Sequence, residues 1–159
     1  MSVSASRRSL LTGGRARAPD NRPPWTAQSW TDACTRCGDC LTACPEQILF
    51  AGDGGFPQIR YQGDGCTFCG ECASACPEPV FDLQRPAFEW RAVIGDQCLA
   101  LSDIHCMSCQ DACEVRAIRF TPRLGMVPAP QVDIDSCTGC TACAVVCPQN
   151  AITMEVPHA

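Results

Sequence analysis

Apolar and polar positions alternate in two short stretches of this chain, FPQIRY (56–61) and PAPQVDID (128–135). A period of two is that of a strand with one buried face. Each stretch follows a Gly- or Pro-rich turn, AGDGG (51–55) or TPRLGMVP (121–128), and each turn follows a short apolar run, QILF (47–50) or RAIRF (116–120). Run, turn and alternating stretch together predict two β-hairpins. Helix is predicted only in pieces about two turns long, such as ECASAC (71–76) and TACAVVC (141–147). No stretch has the ~20 consecutive apolar residues that a membrane span requires. At the N-terminus, residues 1–30 include APDNRPPW, which favours a polyproline-like extended arm over a helix.

From residue 31 the chain is a repeat, and its four units fix the reading of everything else. Each begins with an aspartate two residues before its first cysteine (Asp32, Asp64, Asp96 and Asp135), and each ends in an apolar run: QILF, PVFDL, RAIRF or NAITM. All sixteen cysteines fall into these units, four to each: Cys34, Cys37, Cys40 and Cys44; Cys66, Cys69, Cys72 and Cys76; Cys98, Cys106, Cys109 and Cys113; Cys137, Cys140, Cys143 and Cys147. At that density disulfides or metal clusters take over the role of a conventional core.

Disulfides need an oxidising compartment and so an export signal. SRRSLLTGG at the start resembles a twin-arginine motif, but TGGRARAPDNRPP follows it, without an apolar segment or a small-residue cleavage site. A cytoplasmic, reducing location is expected. Charge is divided along the chain: residues 1–30 hold five arginines and one acid, residues 31–159 seven arginines and sixteen acids, and there is no lysine. An acidic body excludes a phosphate-binding face, so no nucleic-acid partner is expected. The arginines of the arm are either simply solvated or a docking element for an acidic surface.

Boxes one, two and four read CTRCGDCLTACP, CTFCGECASACP and CTGCTACAVVCP, the C-x-x-C-x-x-C-x-x-x-C-P spacing of bacterial-type [4Fe–4S] ferredoxins. Two-residue gaps let three thiolates hold three irons of one cubane. The three-residue gap and the proline then turn the fourth thiolate toward the other cluster of a pair. The expected ligand sets are therefore crossed: Cys34, Cys37, Cys40 with Cys76; Cys66, Cys69, Cys72 with Cys44; Cys98, Cys106, Cys109 with Cys147; Cys137, Cys140, Cys143 with Cys113. A zinc site needs two separated CxxC knuckles and leaves the third cysteine of each box superfluous.

The third box departs from the pattern. LALSDIH separates Cys98 from Cys106, and Glu114 stands where the other boxes have proline. Its Asp-x-Cys context favours Cys98 as the first ligand. Regular spacing would put Asp103 there, and carboxylate is the poorer partner for an iron–sulfur core. Four [4Fe–4S] clusters are expected, three if the 98–113 box is incomplete, and the longer loop raises the prospect of a more exposed, labile site. His105 and His158 read as solvated residues, and Trp25, Trp30 and Trp90 as packing residues. No catalytic triad, phosphate loop or spare thiol is present, so no enzyme is expected. The predicted fold is α+β: two tandem bacterial-ferredoxin-like [4Fe–4S] modules of short strands and short helices with a small conventional core, 31–87 and 88–159, after the arm 1–30.

Several stretches together, SRRSLLTG, RPPW, CTRC, GDQCLA, CQDACE and the final C-x-G-C-x-A-C-x-x-x-CP, go beyond a generic ferredoxin. In them the chain resembles the ferredoxin-type accessory proteins of periplasmic nitrate reductase systems. That resemblance implies a cytoplasmic protein that meets the precursor of the reductase's catalytic subunit before export and helps to mature it, by supplying or reducing its cluster. An electron-transfer ferredoxin that relays single electrons to a redox enzyme is the alternative.

Overall fold

The computed structural model describes residues 21–26 and 29–157. Most of the expected arm, and His158, lie outside them. The described part of the 1–30 segment is packed against the first half of the cysteine-rich body. The Ile59 amide donates to the Asn21 carbonyl at 2.7 Å, and Trp25 exchanges backbone bonds with Ala87 and Asp82, each at 2.9 Å. Pro23 and Thr26 are buried.

The elements are short and mixed. In chain order they are α1 (Trp30–Ala33), α2 (Asp39–Ala43), β1 (Leu49–Ala51), β2 (Pro57–Ile59), α3 (Glu71–Ser74), β3 (Arg91–Ile94), α4 (Ser108–Asp111), β4 (Ile118–Arg123), β5 (Met126–Val132), α5 (Ala142–Val145) and β6 (Ile152–Glu155). Both predicted hairpins form. β1 pairs antiparallel with β2, Leu49 opposite Ile59. β4 pairs with β5, Ile118 opposite Val132, and the register slips between Thr121 and Arg123, where Pro122 has no N–H to give to the ladder. The alternation in FPQIRY extends beyond the ladder, which holds only Pro57–Ile59.

A third sheet was not predicted. β3 pairs antiparallel with β6, Arg91 opposite Glu155 and Ile94 opposite Ile152, so that the segment entering box three lies beside the segment leaving box four. The first half has only the corresponding trace, a single bridge between Thr26 and Phe81. PVFDL therefore forms no strand although the other three post-box runs do.

The backbone explains this exception. Three residues after the last cysteine of boxes one, three and four stand Gln47, Arg116 and Asn150, with φ of 52°, 53° and 50°. Each donates its amide to that cysteine's carbonyl, at 3.1, 2.9 and 3.1 Å, which closes a turn and sends the chain into β1, β4 or β6. The equivalent residue after Cys76 is Pro79, whose ring holds φ near −65° and whose nitrogen has no proton. The turn cannot form there, and the strand is lost.

The conventional core is small, as expected. Ile48, Leu49, Ile59, Phe88, Trp90, Ile118, Ile152 and Met154 are its buried larger members, and they pack in one cluster with the third cysteines of the boxes, Cys40, Cys72, Cys109 and Cys143.

Candidate metal centres

Each box begins as an irregular loop and ends in one turn of helix: α2, α3, α4 and α5. The third cysteine of each box sits on that helix and is buried, whereas Cys37 and Cys69, the second cysteines of boxes one and two, are exposed. The short helices opposite each other in a half, α2 with α3 and α4 with α5, pack together. This brings the start of one box to the end of the other.

The sulfurs gather around four separate cavities. One is lined by Cys34, Cys37, Cys40 and Cys76, a second by Cys66, Cys69, Cys72 and Cys44, a third by Cys98, Cys106, Cys109 and Cys147, and a fourth by Cys137, Cys140, Cys143 and Cys113. Three thiols in every cavity come from one box and the fourth from its partner. The free volume within them is about 20 Å³ for each of the Cys98, Cys66 and Cys137 sets. The insert in box three therefore leaves its cavity the size of those of the Cys66 and Cys137 sets. The Cys34 set surrounds a larger cavity of about 180 Å³.

Electrostatics reflects the same groupings at Cys40, Cys72 and Cys109. Burial first, then the neighbouring thiols, push the Cys72 and Cys143 thiols up to about 12 and the Cys40 and Cys109 thiols up to about 11. Cys40 feels Cys76, Cys34 and Cys37; Cys72 feels Cys66, Cys44 and Cys69. Without metal these thiols are protonated, so loading displaces protons.

The donor set fits an inorganic cluster better than a lone ion. Among the described residues no three Cys, His, Asp or Glu side chains converge on one point as a bound ion requires, yet four thiols surround each cavity. Amides already point at sulfur: Ala117 N–H donates to Cys113 Sγ at 3.2 Å and Ala151 N–H to Cys147 Sγ at 3.3 Å. Such bonds stabilise a thiolate and tune a cluster's potential.

Box three keeps its exit and changes its entry. Despite Glu114, the turn at Arg116 repeats those at Gln47 and Asn150. At the entry, Gly38, Gly70 and Thr141 stand left-handed after the second cysteines of the other boxes, whereas Met107 has φ −130°. The insert is pinned to the β4–β5 hairpin and is not a loose loop. Asp103, itself left-handed at φ 62°, accepts the Val127 amide at 2.7 Å, and Arg123 donates to the Ala100 carbonyl at 2.7 Å and the Val127 carbonyl at 2.7 Å. Asp103 thus faces the hairpin, and Cys98 faces the cavity. The sequence held no local signal for this clamp. His105 is exposed, Trp25 lines the Cys66 cavity, and Trp30 packs edge-on against Phe56 at 5.6 Å.

Four thiol-lined cavities in two crossed pairs, on short helices and hairpins, define a ferredoxin-type iron–sulfur protein. The model of the 4Fe-4S dicluster domain matches twice, at residues 33–80 and 104–151, one domain in each half; Cys98 lies just before the second match, and the chain's sixteen cysteines fit two to four [4Fe–4S] clusters. The ferredoxin-type protein NapF of Escherichia coli strain K12 is 43% identical over 163 residues, covering 100% of this chain and 99% of that protein. NapF of Haemophilus influenzae is 48% identical over 138 residues, covering 84% of this chain and 78% of that protein. More distantly, the hydrogenase-2 operon protein HybA of Shigella flexneri is 28% identical over 162 residues, covering 92% of this chain and 45% of that protein. The chain belongs to the NapF family of ferredoxin-type proteins. Among its described residues no helix is long and apolar enough to cross a membrane.

Proposed function

We propose that this chain is a cytoplasmic accessory protein in the maturation of the catalytic subunit of a periplasmic nitrate reductase, acting on the precursor before export by donating a cluster or by reducing it. It has no substrate site of its own. All sixteen cysteines serve as ligands in the four crossed sets, two sets in each of the modules 31–87 and 88–159. The observation that carries this reading is the gathering of every thiol into one of four cavities, which leaves none for other chemistry. The full-length similarity to NapF proteins supports the nitrate reductase system as its setting. A bound [4Fe–4S] cluster supplies a one-electron couple. The chain's own part is to hold four thiolates around each cavity, to aim amides at Cys113 and Cys147, and to bury the third thiolate of each box away from water.

Between donation and electron delivery, the hydrogen bond from the Cys66 amide to the Cys140 carbonyl at 2.8 Å, which joins box two to box four, favours delivery, because it links the sites of one half to those of the other. The test is to mix anaerobically loaded protein with cluster-free reductase precursor and follow iron and activity in both. Donation predicts iron lost by this chain and gained by the reductase. Delivery predicts activation with no iron moved. A reductase indifferent to the loaded protein in both respects overturns the proposal.

A further inference from the structure

The boundary between the two halves is made of cysteine-box backbone. The Cys66 amide, at the start of box two, donates to the Cys140 carbonyl in box four at 2.8 Å. Gly65 lies on the same contact with φ +78°, and a Cβ there would run into the Cys140 carbonyl oxygen and the Ala142 amide nitrogen. Opposite, Gly139 (φ +76°) admits Trp90: a Cβ would lie 2.8 Å from the Trp90 ring and from its carbonyl oxygen. The Trp90 indole N–H donates to the Gly139 carbonyl at 2.9 Å. Trp90 stacks on Phe88 with centroids 4.7 Å apart, and Phe88 packs edge-on against Phe68 of box two at 6.1 Å. Arg91 braces the same corner, donating to the Phe88 carbonyl at 2.9 Å and to the Ile134 carbonyl at 3.1 Å. Both glycines carry positive φ where any side chain is resisted twice, by conformation and by contact.

We propose that Gly65, Gly139 and Trp90 are positioning residues that hold the Cys66 cavity directly against the Cys137–Cys143 cavity, so that the four sites form one row in the order box one, two, four, three. A protein that only stored two pairs of clusters would have no use for such an abutment. The two outer sites then lie at opposite ends, one at the exposed Cys37 and the other beside the clamped insert of box three. With clusters held by the four cysteine sets, such a row would let one electron from a donor such as a reduced viologen pass from one end to the other, each site being oxidised as the next is reduced. One electron moves, and no bond or proton changes place.

This inference rests on the cluster assignment, and its test separates the two. Wild type, Trp90→Phe and Gly65→Ala are purified anaerobically, iron and sulfide are counted per chain, and spin–spin coupling is read by electron paramagnetic resonance on the fully reduced proteins. Trp90→Phe keeps an aromatic ring to stack on Phe88 while removing the indole N–H and the second ring, so it stands in where Gly65→Ala fails to fold. Coupling within each half is common to all three proteins, and any difference reports the junction. The expected result is full loading throughout, with part of the coupling lost in the variants. Fully loaded proteins with identical spectra overturn the row while leaving the clusters in place. A wild type without iron and sulfide overturns both.

Discussion

The two halves of this chain divide regularity between them in opposite ways. The first has two boxes of unbroken spacing but little sheet: three-residue strands in its hairpin and a single bridge at its outer edge. The second has one regular box and one with a displaced first cysteine, yet its hairpin strands run for six and seven residues and its outer edge is a four-residue ladder. Where the ligand loop is irregular, the polypeptide frame is extended to hold it, and the clamp of Asp103 and Arg123 ties the insert to that frame. Ligand spacing and sheet are thus alternative means of fixing four thiols around a cavity.

The largest expected effect tests that division directly. If the first half depends more on metal, stripping iron from the loaded protein with a chelator and a mild oxidant will abolish amide-exchange protection in β1 and β2 first. The β4–β5 and β3–β6 amides will stay measurably protected, because metal binding and folding are coupled most tightly where the polypeptide frame is weakest. Equal loss of protection in both halves would break the comparison.

Next in size is the displaced cysteine. Cys98→Ala is expected to lose one cluster's worth of iron per chain, since only three thiols would remain around that cavity. Asp103→Asn is expected to keep its iron and to weaken the hairpin clamp by no more than about 1 kcal/mol, the usual net contribution of one hydrogen bond. Iron and sulfide counts with denaturant titration of both variants decide it. Full iron in Cys98→Ala would mean that the cavity is completed by some other group.

How much of this was legible beforehand depends on the range of the interaction. The boxes, the two hairpins and the helical pieces at 71–74 and 142–145 were readable because spacing, turn residues and alternation are local. β3 was not, although RAVI follows Trp90 directly. Four residues are too few to give a period, even with Gly95 and Asp96 punctuating their end, and the partner strand lies some sixty residues downstream. The missing strand after box two was hidden differently. PVFDL is as apolar as the other runs, and the decisive feature is its first residue, Pro79, set against a left-handed turn that becomes visible only once Gln47, Arg116 and Asn150 are seen side by side.

That backbone explanation can be tested by exchanging the residues. Asn150 and Pro79 are both exposed, so a substitution at either acts mainly through the main chain. Asn150→Pro forbids φ near +50° and removes the bond to the Cys147 carbonyl, and is expected to destabilise the second half by about 3 kcal/mol, the scale of a misplaced proline. Exchange protection in β6 should fall with it. Pro79→Asn is expected to change stability by no more than about 0.5 kcal/mol, as for most surface substitutions. A tolerated Asn150→Pro would show that β6 forms without the turn.

The smallest effect concerns the ion pairs that replace the ladder at the outer edge of the first half. There Glu89 bonds Arg22 at 2.6 Å and Arg85 at 3.2 Å, joining the segment that enters box one to the linker that leaves box two. Arg22 is largely covered, Glu89 and Arg85 about a third exposed. Glu89→Gln removes the charge and retains the shape. Partly exposed pairs contribute at most about 1 kcal/mol, so the expected loss in the first half is of that size at low ionic strength. It should shrink as salt is raised, because screening acts on exposed charges over distances near 10 Å at 0.1 M. The second half, whose edge is held by backbone bonds between β3 and β6, should show no such salt dependence. Equal salt sensitivity in the two halves would mean that the ion pairs are not what holds the first one's edge.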